Sequence, residues 1–117
     1  MPFIDLESMQ ATEIWPGCRL RTPHGKHLML SYLEMDDGGV IPLHDHPEEQ
    51  GGILLKGKLE LTIDGETRIV ESGAMFLIPA NVPHQAVAID GPAIVLDAFS
   101  PIRQDYAALM KSSESPD

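Results

Sequence analysis

The sequence lacks the features that mark several large classes of protein. It has one cysteine, Cys18, in 117 residues, so no disulfide bond can form within the chain. It has no apolar run near the roughly 20 residues that cross a bilayer. Residues 1–7 also lack the basic start and apolar stretch of a signal peptide. We therefore expect a cytoplasmic protein with no membrane partner.

Basic residues are also scarce. Eight lysines and arginines stand against 18 aspartates and glutamates, which gives a formal net charge of −10. A chain of this charge is repelled at long range by nucleic acid and by anionic membrane surfaces. Because no basic cluster reverses the charge locally, we expect no nucleic-acid partner.

Glycine and proline are abundant, and the apolar residues recur mainly with a period of two. Ten glycines and ten prolines favour short strands joined by turns. We interpret residues 1–117 as a single domain, in which residues 1–26 form an N-terminal extension and first strand region and residues 112–117 a disordered tail. A small β-domain has sheet edges to protect, so we also expect a homodimer.

The pattern predicts an all-β jelly-roll barrel with a short C-terminal helix. Asp64-Gly65 is a strong two-residue hairpin signal. The helix is expected to start at Ser100 as N-cap and Pro101 as first residue. Its apolar face would carry Ile102, Tyr106, Leu109 and Met110. The predicted strands are residues 27–34, 40–46, 52–55, 58–64, 66–70, 74–78, 84–89 and 93–99.

Three histidines are candidate metal ligands. His44 and His46 alternate in an extended segment, so both rings can face the same side and bind one ion. His84 follows a loop stiffened by Pro79 and Pro83 and would supply the third ring. Imidazole suits divalent transition metals, and we expect one such ion, namely zinc, nickel, manganese or iron.

The spacing of these residues resembles the two motifs of the cupin family. Gly38, His44, His46, Gln50 and Gly57 match the first motif, with glutamine where most members carry glutamate. The resemblance implies a double-stranded β-helix and makes Gln50 the fourth ligand. The alternative is that Gln50 contacts the ligands without binding the metal, and that Glu48 or Glu49 is the fourth ligand.

The second motif is matched by Gly73, Pro79 and His84, with two departures. Asn81 replaces a glycine, and asparagine still tolerates a left-handed backbone conformation. Ala88 stands where the family often has asparagine, so any contact of that asparagine is missing.

A second group of polar residues lies near the C-terminus. Asp97 and Phe99 share one face of an apolar strand, where an aspartate is unusual. Arg103 is expected near the positive end of the helix, which is mildly unfavourable for a cation. A salt bridge to Asp97 or Asp105, solvent, or the carboxylate of a ligand would compensate.

Residues 28–109 resemble the KdgF family of cupins that act in pectin and alginate degradation. The likeness is carried by the Glu49-Gln50 pair, by residues 81–84 (NVPH) and above all by residues 97–106 (DAFSPIRQDY). The family converts 4,5-unsaturated monouronates to linear keto-uronates, which implies a small anionic sugar as substrate. By motif position, the catalytic residues implied are Asp97, Phe99 and Arg103.

Two other functions are compatible with the same residues. A three-histidine cupin dioxygenase would use a similar metal site, although glutamine in place of a carboxylate weakens this reading. A non-enzymatic cupin that binds a small ligand or a metal is the other alternative.

Overall fold

Alternation of apolar and polar residues produces strands with one buried face. A computed structural model describes residues 3–110. In β8, residues 93, 95, 97 and 99 are buried and their neighbours are not, as a period of two requires. The elements are a 3-10 helix (Leu6–Ser8), β1 (Thr12–Trp15), β2 (Cys18–Arg21), β3 (Met29–Met35), β4 (Val40–His44), β5 (Glu49–Ile63), β6 (Glu66–Glu71), β7 (Met75–Ile78), β8 (His84–Ser100) and α1 (Gln104–Met110).

All strand pairs are antiparallel, which confirms the predicted all-β jelly-roll with a short C-terminal helix. The sheet order is β1-β2-β3-β8-β5-β6, and β4 and β7 add to β8 and β5 respectively. The long strands β5 and β8 pair twice, residues 49–56 with 94–100 and residues 58–63 with 84–89. The irregular pairing between these stretches bends both strands, so the sheet curls around an apolar core.

Two predicted strand breaks are wrong. Lys56-Gly57 does not turn the chain back, because the strand continues through an irregularity at which Gly57 has a φ of +92°. The predicted strands 52–55 and 58–64 are therefore one strand, β5. The same holds for residues 84–89 and 93–99, which join through Asp90 and Gly91 as β8. The hairpin at Asp64-Gly65 is confirmed, with positive φ at both residues.

The N-terminal region contains two short strands whose bounds the sequence did not indicate. In β2, Cys18 and Leu20 are buried and the arginines between and after them are not. This alternation covers only four residues, too few to stand out against the surrounding turns. The expected tail, residues 112–117, lies outside the described residues.

The predicted start of the helix is also wrong. Ser100 ends β8, where it pairs with Glu49, and its hydroxyl donates to the carbonyl of His27 at 3.1 Å rather than capping a helix. The Ser100-Pro101 peptide bond is cis, and α1 begins at Gln104. Tyr106 is buried as predicted, whereas Leu109 is 36% exposed. The side chain of Met110 lies outside the described part of the chain.

The outer face of the sheet carries a row of apolar residues. Leu30, Ala98, Gly51 and Leu77 lie in register across β3, β8, β5 and β7. Leu77 is 76% exposed. The expected homodimer stays a prediction. Among residues 3–110, no helix has the length and apolar character needed to cross a membrane.

Candidate metal centre and ligand pocket

The three predicted histidines meet at one end of the barrel. His44 ends β4 and pairs directly with His84, the first residue of β8, while His46 follows in the next loop. One ring nitrogen from each lies within 4.8 Å of the others. The ring centroids of His44 and His46 are 4.3 and 4.9 Å from that of His84. The fold thus brings together candidate ligands that are up to 40 positions apart in the chain.

Backbone carbonyl oxygens fix the orientation of all three rings. A carbonyl only accepts hydrogen bonds, so the Nδ1 atom facing it carries the proton of a neutral imidazole. The lone pair of each ring then lies on Nε2, the nitrogen available to a metal. The Nδ1 atom of His44 donates to the carbonyl of Pro42 at 2.8 Å. That of His46 donates to the carbonyl of Glu48 at 3.0 Å, and that of His84 to the carbonyl of Val82 at 2.8 Å.

The buried ring nitrogen of His84 tests whether these residues fit a cation. Its Nε2 has no hydrogen-bond partner within residues 3–110, which is costly for a buried polar atom unless something binds it. Burial lowers the pKa of His84 to about 4 and also lowers the pKa of His44. Neutral rings with free lone pairs are the form that coordinates a metal. The three histidines therefore fit a bound divalent cation.

The loop before His84 is tied to the loop of the other histidines. The Asn81 N–H donates to the carbonyl of His46 at 2.8 Å. Asn81 has a φ of +64°, the left-handed conformation that the sequence allowed for it. The backbone at Asn81 therefore aligns two of the ligand-bearing segments.

Gln50 and Glu48 lie on opposite sides of the His46 ring. The Gln50 Oε1 atom is 3.0 Å from Nε2, whereas the Glu48 carboxylate is 3.6 Å from Nδ1. Two acceptor atoms facing each other at 3.0 Å are compatible with a shared cation, since metal–nitrogen bonds are about 2.1 Å long. Gln50 therefore has an oxygen atom placed to share a cation with His46, whereas the carboxylate of Glu48 lies on the other side of the ring.

Asp97 is linked to the histidine cluster through Gln50. The amide nitrogen of Gln50 donates to Asp97 Oδ1 at 3.0 Å. Burial raises the pKa of Asp97 to about 7, against the opposing effects of the Gln50 hydrogen bond and the charge of Arg103. A carboxyl group with this pKa can both give and take a proton near neutral pH.

Gly52 leaves the space that Asp97 occupies, a role that the sequence did not reveal. The two residues pair directly across β5 and β8. A methyl group at position 52 would overlap Asp97 Oδ1 and the ring of Phe76. Only the strand register shows that this glycine faces an aspartate, so no local signal could have identified it.

Phe99 and Arg103 connect the histidines to the start of the C-terminal helix. The Phe99 ring packs edge-on against His46, with centroids 5.5 Å apart. Arg103 is buried and its salt bridge goes to Asp105 at 2.8 Å, not to Asp97. Of the partners considered from the sequence, Asp105 is the one observed in the structure.

One pocket, with a cavity volume of about 50 Å³, connects most of these side chains. His44, His84, Gln50, Asp97, Phe99 and Arg103 all line it, above an apolar floor. The other lining residues were not identified as site residues from the sequence, among them the polar or aromatic Trp15, Ser31, Phe76, Gln85 and Tyr106. Ser31, for example, reaches the pocket only because it pairs with Asp97 across β3 and β8.

Comparison with known proteins identifies the class. Residues 31–99, more than half of the chain, match the cupin domain. The chain therefore belongs to the cupin family. With its cluster of three histidines, it is a cupin whose site can hold a metal ion.

Within this family the chain is KdgF-like. It is 29% identical over 80 residues to the pectin degradation protein KdgF of Dickeya dadantii, covering 68% of this chain and 73% of that protein. The structure of KdgF from Halomonas sp. has a TM-score of 0.83 at 30% identity and covers 90% and 97% of the two chains. An RmlC-like cupin from Shewanella frigidimarina has a TM-score of 0.85 at 26% identity, covering 91% and 96%.

A shorter match relates the chain to a different enzyme. It is 52% identical over 48 residues to quercetin 2,3-dioxygenase of Bacillus subtilis. That stretch is 40% of this chain but only 14% of the dioxygenase. Both curated relatives are compatible with an enzyme, and they differ in the reaction that they suggest.

Proposed function

We propose that the protein is an enzyme that converts 4,5-unsaturated monouronates to linear keto-uronates. One observation carries the proposal: buried Asp97 is hydrogen-bonded to Gln50, whose other amide atom faces the histidine cluster. A group that moves protons thus lies beside a cation site, and Arg103 lines the same pocket. The KdgF-like relatives support this substrate class.

The reaction is an isomerisation that needs one proton to be moved. The C1 hydroxyl loses its proton, the bond between C1 and the ring oxygen breaks, and C1 becomes an aldehyde. The electron pair of that bond stays on the ring oxygen and forms an enolate, which becomes the C5 ketone when C4 accepts a proton. Asp97 as carboxylate takes the first proton and, once protonated, gives it to C4.

The other residues bind and orient the sugar. A divalent cation on the three histidines and Gln50 would supply Lewis-acid stabilisation of negative charge on a substrate oxygen. Arg103 binds the carboxylate, and Phe99 packs on the ring and excludes water. The local positive charge offsets the repulsion between an anionic sugar and a chain of net charge −10.

The direct test follows the loss of alkene absorbance when purified protein meets the monouronate released by a pectin or alginate lyase. We expect a rate well above the spontaneous one, lost with chelator and reduced about 10²- to 10⁴-fold in Asp97→Asn. Asp64→Asn, at the exposed hairpin turn, is the matched control. Fully metallated protein that gives no acceleration would overturn the proposal.

A cupin dioxygenase is the second candidate, favoured by the 52% identity to quercetin 2,3-dioxygenase. It requires oxygen consumption with turnover, whereas the isomerisation proceeds equally well without oxygen. Running the assay anaerobically separates the two. Tight binding of the uronate with no turnover in either gas phase would instead indicate a non-enzymatic binding protein.

A further inference from the structure

The guanidinium of Arg103 is held by two neighbours from the same short segment. Its Nε and Nη2 atoms donate to the two carboxylate oxygens of Asp105, at 3.2 and 2.8 Å. The Arg103 side chain is 8% exposed, whereas that of Asp105 is 62% exposed. The ion pair thus runs from the pocket wall to the surface, and its two bonds do not use the Nη1 group of the guanidinium.

Tyr106 covers one face of the same guanidinium. The Arg103 Cζ atom is 3.7 Å from the centroid of the Tyr106 ring and 5.2 Å from that of Phe99. The two rings meet edge to face at 86°, with centroids 5.8 Å apart. Stacking on an aromatic face is favourable for arginine and fixes the plane of its guanidinium.

The two contacts together fix the direction in which the guanidinium of Arg103 points. Asp105 fixes one edge of a flat, five-donor group, and Tyr106 fixes its plane. The edge that remains is the outer one, formed by Nη1 and the second N–H of Nη2. Since Arg103 lines the pocket, this edge is the part of the guanidinium available to a ligand there.

Asp105 also resolves the electrostatic conflict of a cation at a helix start. An acidic residue in the first turn is favourable there, and it neutralises part of the charge of Arg103. Although partial burial opposes the effect, the hydrogen bond from Arg103 keeps the pKa of Asp105 below its ordinary value. Asp105 is therefore a charged partner at neutral pH.

We propose that Asp105 and Tyr106 are positioning residues that aim the outer edge of the Arg103 guanidinium at the carboxylate of a uronate in the pocket. The naming of a uronate rests on the proposed function. A fixed, planar pair of donors binds a carboxylate in two-point fashion, which a neutral sugar cannot reproduce. The discrimination between acidic and neutral sugars therefore depends on how Asp105 and Tyr106 hold the guanidinium of Arg103.

The test measures equilibrium binding to metal-loaded protein by calorimetry. The probes are galacturonate, which has no C4–C5 double bond and cannot react, and galactose, its neutral counterpart. We expect Asp105→Ala and Tyr106→Leu each to weaken galacturonate binding about tenfold, with galactose binding unchanged. Tyr106→Phe keeps the ring and should stay within about twofold of the wild type.

Several controls separate positioning from folding. Because Asp105 is mostly exposed, Asp105→Ala should fold even if the buried Tyr106→Leu does not, and thermal unfolding and metal content are checked for each variant. Asp64→Asn controls for the loss of a surface charge. A structural defect would weaken both sugars together, whereas mispositioning weakens only the acid.

Two outcomes would overturn the inference. One is galacturonate binding at wild-type strength in both Asp105→Ala and folded Tyr106→Leu. The other is a wild-type protein that binds galacturonate no better than galactose, which would mean that Arg103 does not bind carboxylates. If galacturonate binds as expected but no unsaturated uronate is converted, the proposed reaction falls and the positioning role stands.

Discussion

The two halves of the site are held in place by different kinds of contact. Each histidine ring is oriented by a carbonyl only two residues away in the chain. Asp97 is oriented by Gln50, which is 47 residues away. The orientation of the histidine rings thus depends mainly on local backbone geometry, and that of Asp97 on the register between β5 and β8.

The halves also differ in how they respond to protons. Burial lowers the pKa of His84, which favours the neutral ring, and raises the pKa of Asp97, which favours the neutral acid. In each case the protein disfavours the charged form. The halves should therefore be separable by mutation and should show opposite dependence on pH.

The largest effect is expected from His84→Ala, which removes one candidate ligand and its buried Nε2, an atom without a hydrogen-bond partner in the described part of the chain. Mutating a residue that only hydrogen-bonds to a metal ligand typically lowers metal affinity about 10- to 100-fold, and we expect a larger loss here. Metal content after dialysis and titration calorimetry measure this. His24→Ala, in an exposed loop, is the matched control. Undiminished binding in His84→Ala would place the metal elsewhere.

A smaller effect is expected in the pH dependence of the stability of metal-free protein. The pKa of Asp97 is about 7 when folded and 3.8 in its ordinary state, so the folded state binds more protons between these values. Its contribution to stability therefore falls as pH rises from about 4 to 7. Asp97→Asn has no carboxyl group to titrate. Its free energy of unfolding should therefore rise relative to that of the wild type as the pH increases from about 4 to 7.

Urea unfolding at several pH values with chelator present measures this difference. His84 contributes with the opposite sign, because its folded pKa of about 4 lies below the ordinary 6.5 and stability rises with pH between the two. His84→Ala should therefore show the reverse trend against wild type. The difference in free energy of unfolding between Asp64→Asn and the wild type should not change with pH. A flat difference for Asp97→Asn would show that its carboxyl is not destabilised by burial.

The smallest effect is expected from Glu48→Gln. Its carboxylate lies at Nδ1 of His46, away from the metal-facing nitrogen, so metal affinity should change less than about threefold. Gln50→Ala should weaken binding more, by about tenfold or greater. Parallel titrations of the two variants compare them. A larger loss in Glu48→Gln would reverse the choice of fourth ligand.

The contrast between local and distant contacts also explains which features could be predicted. The His44-x-His46 pattern and the loop before His84 carry their geometry in adjacent residues, and the cluster forms as expected. Asp97 and Phe99 were placed on one buried face because a strand alternates. Gly52 and Ser31, which pair with Asp97, and Trp15, which lies beside His44, could not be assigned, because strand register and the path of β1 are not encoded locally.

The errors in the strands have a related cause. Gly57 and the Asp90-Gly91 pair look like ends of strands, and in the fold they are the bends that let β5 and β8 run on. Ser100-Pro101 looks like a helix start, but Ser100 pairs with Glu49 at the end of β8. In these places tertiary pairing decides the conformation over the local signal.

The bare backbone of Gly52 has a consequence for related chains. Positions 52 and 97 share a fixed volume, and a methyl group on one strand would take the space of the carboxylate on the other. We expect a residue larger than glycine at position 52 only where the acid at position 97 is absent and the ring at position 76 is smaller or displaced. In a cupin with a larger residue at position 52, an aspartate at position 97 alone would clash with that side chain and could not adopt this position.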